Sequence, residues 1–134
     1  MGSFPIEATV SHLQDRHRSV TLDLLADTDA TYTTLPSEVA DALALEPIDT
    51  RRIRLGDGRE ERWPLAAIFI RVDGQWGPSL ALIGPPGSPA LLGRVTLEEL
   101  ALEVERPTRR LIPTTSYLVS PIALSRFDSD EGHG

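Results

Sequence analysis

Two aspartates stand two residues apart in LLADTDATYTTLP, Leu24 to Pro36. Asp27 ends an apolar run. Thr28, Asp29 and Ala30 follow, and a Thr-rich stretch leads to a proline. A carboxylate at such a junction can do one of two things. It can close an Asx turn by bonding nearby backbone. It can also, paired with a second carboxylate, move protons as a general acid and base. The loop alone does not choose between them, so the elements that hold it must.

Upstream, PIEATVSHL alternates apolar and polar residues at Ile6, Ala8 and Val10, which predicts a half-buried strand. VTLDLLA, Val20 to Ala26, predicts a buried strand ending at the turn-prone Asp-Thr-Asp. A hairpin through QDRHRS joins the two. After Pro36, the spacing of Val39, Ala40, Leu43 and Ala44 predicts a helix with Ser37 as N-cap. From Arg51 to Gly84 the chain reads strand, turn, strand, turn, strand, with GDG and DG as the turns. PPGSP reads as an irregular loop. ALLG follows, then a second helix over VTLEELALEV, where Thr96 and Glu99 have capping-box spacing. RRLIP reads as a further strand. The tally is mainly β with two short helices. LPSEVADALALEP and VTLEELALEVERP echo each other, which suits a domain of two related halves.

Composition narrows the function classes. The 134 residues fit one compact domain, and a 40% apolar content suits a soluble protein with a modest core. A net charge of −7 argues against nucleic acid as partner, since phosphate contact needs a basic patch. The absence of cysteine excludes disulfides and thiolate zinc sites. His12, His17 and His133 have no metal-ligand spacing, so no metal and no cofactor is expected. DSDEG near the C-terminus lacks the full calcium-loop pattern and reads as a solvated acidic tail. No signal peptide or membrane-length apolar run is visible, which makes the expected compartment cytoplasmic. Trp63 and Trp76 read as packing residues.

Taken in order, these elements resemble the retropepsin-like aspartic proteases, and in particular their small bacterial single-domain branch. The residues that carry the resemblance are TLDLLA running into DTDAT, RLGDGRE in the place of a flap, and ALLG continuing as GRVTLEELALEVERPTRRLIP. It covers 4–113 as one protease domain and leaves 114–134 as a tail, with a possible interface segment before a disordered end. The resemblance implies a closed β-barrel of two pseudo-symmetric halves with two short helices, acting as a homodimer on peptide or protein substrates. It implies that Asp27 is catalytic, one from each protomer, and that Thr28 braces the pair across the two-fold axis. Gly56, Asp57 and Gly58 would form the flap tip over the substrate. Leu92 and Gly93 would form the second loop, with Gly93 packed closely under the Asp loop.

One position departs from that pattern, because Asp29 stands where the family has glycine. Glycine suits a place where backbone runs close to the carboxylate pair and the substrate. Asp29 keeps the amide, which can donate toward Asp27, but it adds a side chain and a charge. Like charges disfavour ionisation, so the pair would hold its proton to higher pH unless Asp29 turns to solvent or meets an arginine. Two readings stay open: an aspartic endopeptidase, and a catalytically weak or inactive dimeric module that binds peptides or supports assembly. An unrelated small β-barrel would require the motif order to be accidental.

Overall fold

The computed structural model describes residues 3–116. β1 (Phe4–His12) and β2 (Asp15–Ala26) form a long antiparallel hairpin. In β1, Ala8 and Val10 are buried and Ile6 is half-buried, while Pro5 and Glu7 face solvent. β2 is not buried on both faces as its composition suggested. Leu24 and Ala26 are buried, whereas Thr21, Asp23 and Leu25 are exposed. An antiparallel hairpin with one wet face has this alternation. Its turn is shorter than QDRHRS, because β2 already begins at Asp15.

β3 (Thr33–Pro36) occupies the Thr-rich stretch that leads to Pro36, where no strand is expected from the sequence. Then come α1 (Ser37–Ala42), β4 (Asp49–Arg54), β5 (Glu60–Val72), β6 (Gln75–Gly84), β7 (Leu91–Leu92), α2 (Arg94–Glu99), β8 (Leu102–Glu105) and β9 (Arg110–Pro113). Two capping expectations fail. Pro36, not Ser37, precedes α1, and no side chain caps that helix. Gly93 precedes α2, so Thr96 lies inside the helix, and its hydroxyl turns into the core instead of capping. The second helix is also shorter than its pattern. Residues 102–105 leave it to pair with β9.

Both DG signals make turns, of different kinds. Asp73 and Gly74 have φ of 50° and 82°, the two positive angles of a type I′ hairpin. Gly56 to Gly58 form a three-residue loop in which only Gly58, at φ 91°, needs the left-handed region.

The main sheet runs β1-β2-β7-β3-β6-β5-β4, and β1 also pairs with β5. That extra pairing closes the sheet into a barrel and leaves β4 projecting with the end of β5 as a free hairpin. The halves exchange strands: β2 pairs in parallel with β7, and β3 in parallel with β6. α1 follows β3 and α2 follows β7, so the sequence echo is a structural repeat. Leu24, Leu35, Ile68, Ile70 and Leu92 are fully buried inside the barrel, worth about 1.5–3 kcal/mol each relative to exposure. Trp76 does not enter this core. It packs on Phe69 at 5.8 Å between ring centroids yet is 62% exposed. Among the described residues, no helix is long and apolar enough to cross a membrane. The expected tail beyond Ser116 lies outside the described residues.

Candidate active site

Asp27 leaves the end of β2 where that strand meets β7. Its N–H donates to the Leu92 carbonyl at 3.0 Å, continuing the bond from Leu25 N–H to Ala90 at 2.9 Å. The chain then turns, with Ala30 N–H on the Asp27 carbonyl at 3.1 Å. The Asp29 N–H donates to Asp27 Oδ1 at 2.9 Å, which fixes the carboxylate against its own loop. The far side of the loop is held by α2. Arg94 and Val95 N–H groups donate to the Ala30 and Thr31 carbonyls at 2.8 and 2.9 Å. These donors belong to the first turn of the helix and have no partner within it.

Gly93 explains how the two segments come so close. A Cβ built there would lie 2.3 Å from the Tyr32 carbonyl carbon and 2.6 Å from the Thr33 nitrogen. Its φ is −91°, so space and not backbone conformation demands glycine. The Gly93 N–H donates to Thr33 Oγ1 at 3.1 Å. Thr33 Oγ1 lies 2.6 Å from Thr96 Oγ1, which lies 2.8 Å from Ser79 Oγ, and Ser79 donates to Glu99 at 2.6 Å. A buried run of hydroxyls therefore ties β3, α2 and β6 together beneath the Asp loop.

Thr28 points away from these contacts. Its hydroxyl accepts from Arg106 Nη2 at 3.2 Å, and its carbonyl from Arg94 Nη1 at 3.4 Å. Asp29 is exposed and forms no ion pair among the described residues. Of the two escapes expected for its charge, it takes solvent and not an arginine.

A cleft of about 790 Å³ opens over the loop. Its floor holds Asp27, Asp29 and Ala30, and the β4–β5 hairpin overhangs it through Leu55 and Gly56. Of the residues singled out from sequence, these four positions 27, 29, 30 and 56 meet in one cleft. Thr28, Asp57, Gly58, Leu92 and Gly93 do not line it. Leu92 and Gly93 are buried beneath the loop. Asp57 is engaged within the hairpin tip, where it accepts from Arg59 N at 3.0 Å and Arg59 Nε at 2.7 Å. The Arg59 backbone N–H and guanidinium hold its carboxyl below the ordinary value of 3.8.

Sequence reasoning missed Tyr32, Arg51 and Trp63, which also line the cleft. Trp63 is thus a cleft residue as well as a packing one. The signal was present in DTRRIRL: strand alternation puts Arg51, Ile53 and Leu55 on one face, and all three are partly buried between exposed neighbours. Among the described residues, no three His, Asp or Glu side chains gather as metal ligands.

No family model matches the chain, and no curated protein matches its sequence. Among solved structures it is similar to the EIAV protease complexed with the inhibitor HBY-793. The TM-score is 0.58 at 17% identity, over 77% of this chain and 92% of that one. At that identity the likeness concerns architecture. A closed barrel with exchanged strands, an Asp-bearing loop beneath a projecting hairpin, and this neighbour agree: the chain has a retropepsin-like fold.

Proposed function

We propose that this protein is an aspartic endopeptidase that works as a homodimer, with Asp27 of each protomer forming the catalytic pair. The observation that carries the reading is the placement of Asp27. It stands at the end of β2 on a loop anchored from both sides, and it faces a cleft roofed by the β4–β5 hairpin.

The chemistry follows from charge. Two carboxylates about 3 Å apart cannot both ionise cheaply, so they share one proton. The ionised partner takes a proton from a bound water, and the water attacks the peptide carbonyl. The protonated partner donates to the carbonyl oxygen as negative charge develops there. The Asp29 amide donates to Asp27 Oδ1 at 2.9 Å and so orients the carboxyl group. An extended peptide fits under the hairpin, whose backbone can bond it along its length while the roof excludes water.

Asp29 favours a second reading, a weak or inactive module that binds peptides or supports dimeric assembly. Its carboxyl-bearing side chain lines the cleft in which a peptide would sit.

One set of measurements separates them. An unstructured protein is incubated with wild type, Asp27→Asn and Asp29→Gly from acid to neutral pH, and cleavage is followed by mass spectrometry. The endopeptidase reading expects cleavage by wild type that Asp27→Asn abolishes. Cleavage that survives Asp27→Asn sinks it. An inert wild type with an active Asp29→Gly supports the second reading. Solution mass adds a check, because a strict monomer holds only half a site.

A further inference from the structure

The cleft has a basic wall that neither the carboxylate pair nor the hairpin backbone accounts for. The segment Asp49–Arg62 carries more basic than acidic residues, in a chain whose net charge is −7. Within it, Arg51, Arg52 and Arg54 all line the cleft, and Arg51 is the one that strand alternation leaves partly buried. Its side chain is 38% exposed and lines the cleft beside Tyr32 and Trp63.

Its guanidinium is divided between scaffold and opening. Nε donates to the Tyr32 hydroxyl at 3.4 Å. Nη1 donates to Asp49 Oδ2 at 2.7 Å and to the Thr50 carbonyl at 3.1 Å. These bonds use three of the five N–H donors and fix the plane of the group. The two donors on Nη2 have no partner among the described residues. A pre-oriented fork with one arm free is suited to a carboxylate oxygen, because a charge-assisted bond is stronger than a neutral one.

Charge on the opposite side sharpens this choice. Asp27 and Asp29 lie on the cleft floor, so an acidic ligand group is pushed from the floor toward the wall. Arg54 is paired with Glu60 at 2.6 Å as Arg51 is with Asp49 at 2.7 Å. Of the three arginines on this wall, however, Arg51 is the one whose guanidinium plane is also fixed, by Tyr32 and the Thr50 carbonyl.

We propose that Arg51 is a specificity-determining residue that selects peptides carrying an aspartate or glutamate side chain at one fixed position in the cleft. The proposal deepens the peptide-hydrolase reading and rests on it for the identity of the ligand as a peptide.

The test measures binding apart from turnover. Asp27→Asn protein is titrated into fluorescein-labelled peptides in which each position in turn is fixed as Glu or Gln among neutral residues. At one position the Glu peptide should bind roughly tenfold more tightly than its Gln counterpart, as a charge-assisted hydrogen bond provides. Added Arg51→Met should bring the two to parity. Arg51→Lys should retain part of the preference, since it keeps the charge and loses the fork. Far-UV circular dichroism of each variant guards against misfolding, and Arg51→Lys keeps the test decisive where Arg51→Met does not fold. Equal binding of Glu and Gln peptides at every position, binding of neither, or a preference that survives in Arg51→Met overturns the proposal. Cleavage by wild type is scored separately. A Glu preference without cleavage removes the endopeptidase reading and leaves Arg51 as a binding determinant. Cleavage without a preference does the reverse.

Discussion

The hydroxyls of Thr33 and Thr96 lie 2.6 Å apart across 63 residues of sequence, and the Ser79 donation to Glu99 sets the direction of the bonds around them. Each hydroxyl has a single proton to give. Ser79 gives its proton to Glu99, so Thr96 must donate to Ser79. Thr33 must then donate to Thr96, and it accepts from the Gly93 amide. The series runs one way, from the backbone under the Asp loop to an acceptor at the end of α2. This is why Thr96 is buried inside a helix where its spacing from Glu99 suggested a cap.

Thr96→Val removes the middle of that series while keeping its shape. It leaves the Thr33 proton and a Ser79 lone pair without partners in the core. The expected loss is about 1–3 kcal/mol, the usual cost of stranding buried polar groups. Thr96→Ser keeps the hydroxyl and loses one methyl, about 0.8 kcal/mol. Urea denaturation should therefore rank wild type above Ser above Val. A Val variant as stable as wild type would show that the hydroxyl series contributes nothing net.

Gly93→Ala tests the close approach of the two loops. The new methyl would overlap the Tyr32 and Thr33 backbone, at 2.3 and 2.6 Å, and backbone cannot swing aside as a side-chain end can. A cost of about 1–3 kcal/mol or more is expected from such overpacking. The displacement would be felt at Asp27, because Leu92 next door receives the Asp27 amide. On the proposed endopeptidase reading, the variant should thus lose activity beyond what its lowered stability explains. Full activity measured well below its melting temperature would count against that coupling.

The sequence made the barrel legible where short-range rules apply. Ile6, Ala8 and Val10 alternate, Asp73-Gly74 has the residues of a type I′ turn, and the helical spacing after Pro36 is plain. It misled where tertiary contacts override local preference. Thr33–Pro36 has loop-like composition, yet it is held as a strand by parallel pairing with Ala81–Gly84. Residues 102–105 continue a helical apolar pattern, yet pairing with Arg110–Pro113 draws them into a sheet. For the site, the Asp27 loop was readable because its residues are contiguous. The inward face of Arg51 was readable from alternation, but its place in the cleft was not, because that depends on a hairpin folding back over a loop some twenty residues earlier.

Both helices end with an alanine in the left-handed region, Ala44 at φ 54° and Ala101 at φ 56°. At Ala44 the full C-terminal motif forms, with Leu45 N–H on the Ala40 carbonyl and Ala44 N–H on Asp41. A Cβ in this conformation costs roughly 1–2 kcal/mol. Glycine avoids it but gives the unfolded chain about 0.4–1 kcal/mol more entropy to lose. Ala44→Gly and Ala101→Gly should each raise stability by roughly 0.5–1 kcal/mol, and the pair should add, being distant sites. Thermal denaturation of the two single variants and the double variant checks both sign and additivity.

The hairpin tip carries its own pH response. The Arg59 backbone N–H and guanidinium hold the Asp57 carboxyl below its ordinary 3.8. A lowered folded value means the ionised form stabilises the tip above the unfolded value, and that this is lost as pH falls through the folded one. The tip should therefore stay clamped through the mildly acid range and loosen only below about pH 3.8. Amide exchange at Gly58 and Arg59, corrected for intrinsic rates, should accelerate in that window. In Asp57→Asn the tip should be looser throughout and lose that dependence. Loosening that begins near neutral pH would point to a different group.

Asp29→Gly addresses the position that separates an enzyme from a binding module. The substitution keeps the amide that bonds Asp27 Oδ1, so the Asp27 carboxylate should stay in place. Asp29 is exposed and pairs with no arginine among the described residues, so the cost is mainly the backbone entropy that glycine adds to the unfolded chain, about 0.4–1 kcal/mol. What changes is the cleft floor, which loses one negative charge and one side chain. An exposed like-charge contact is worth about 0.2–1 kcal/mol, so relief of it should raise kcat/KM by at most about fivefold for acidic peptides. Neutral peptides should gain less from lost charge, and their gain should be insensitive to salt. A large, equal and salt-independent gain for both would mean that the Asp29 side chain acts by bulk. No gain for either would mean that a loop reading Asp-Thr-Asp seats a peptide as well as one with glycine.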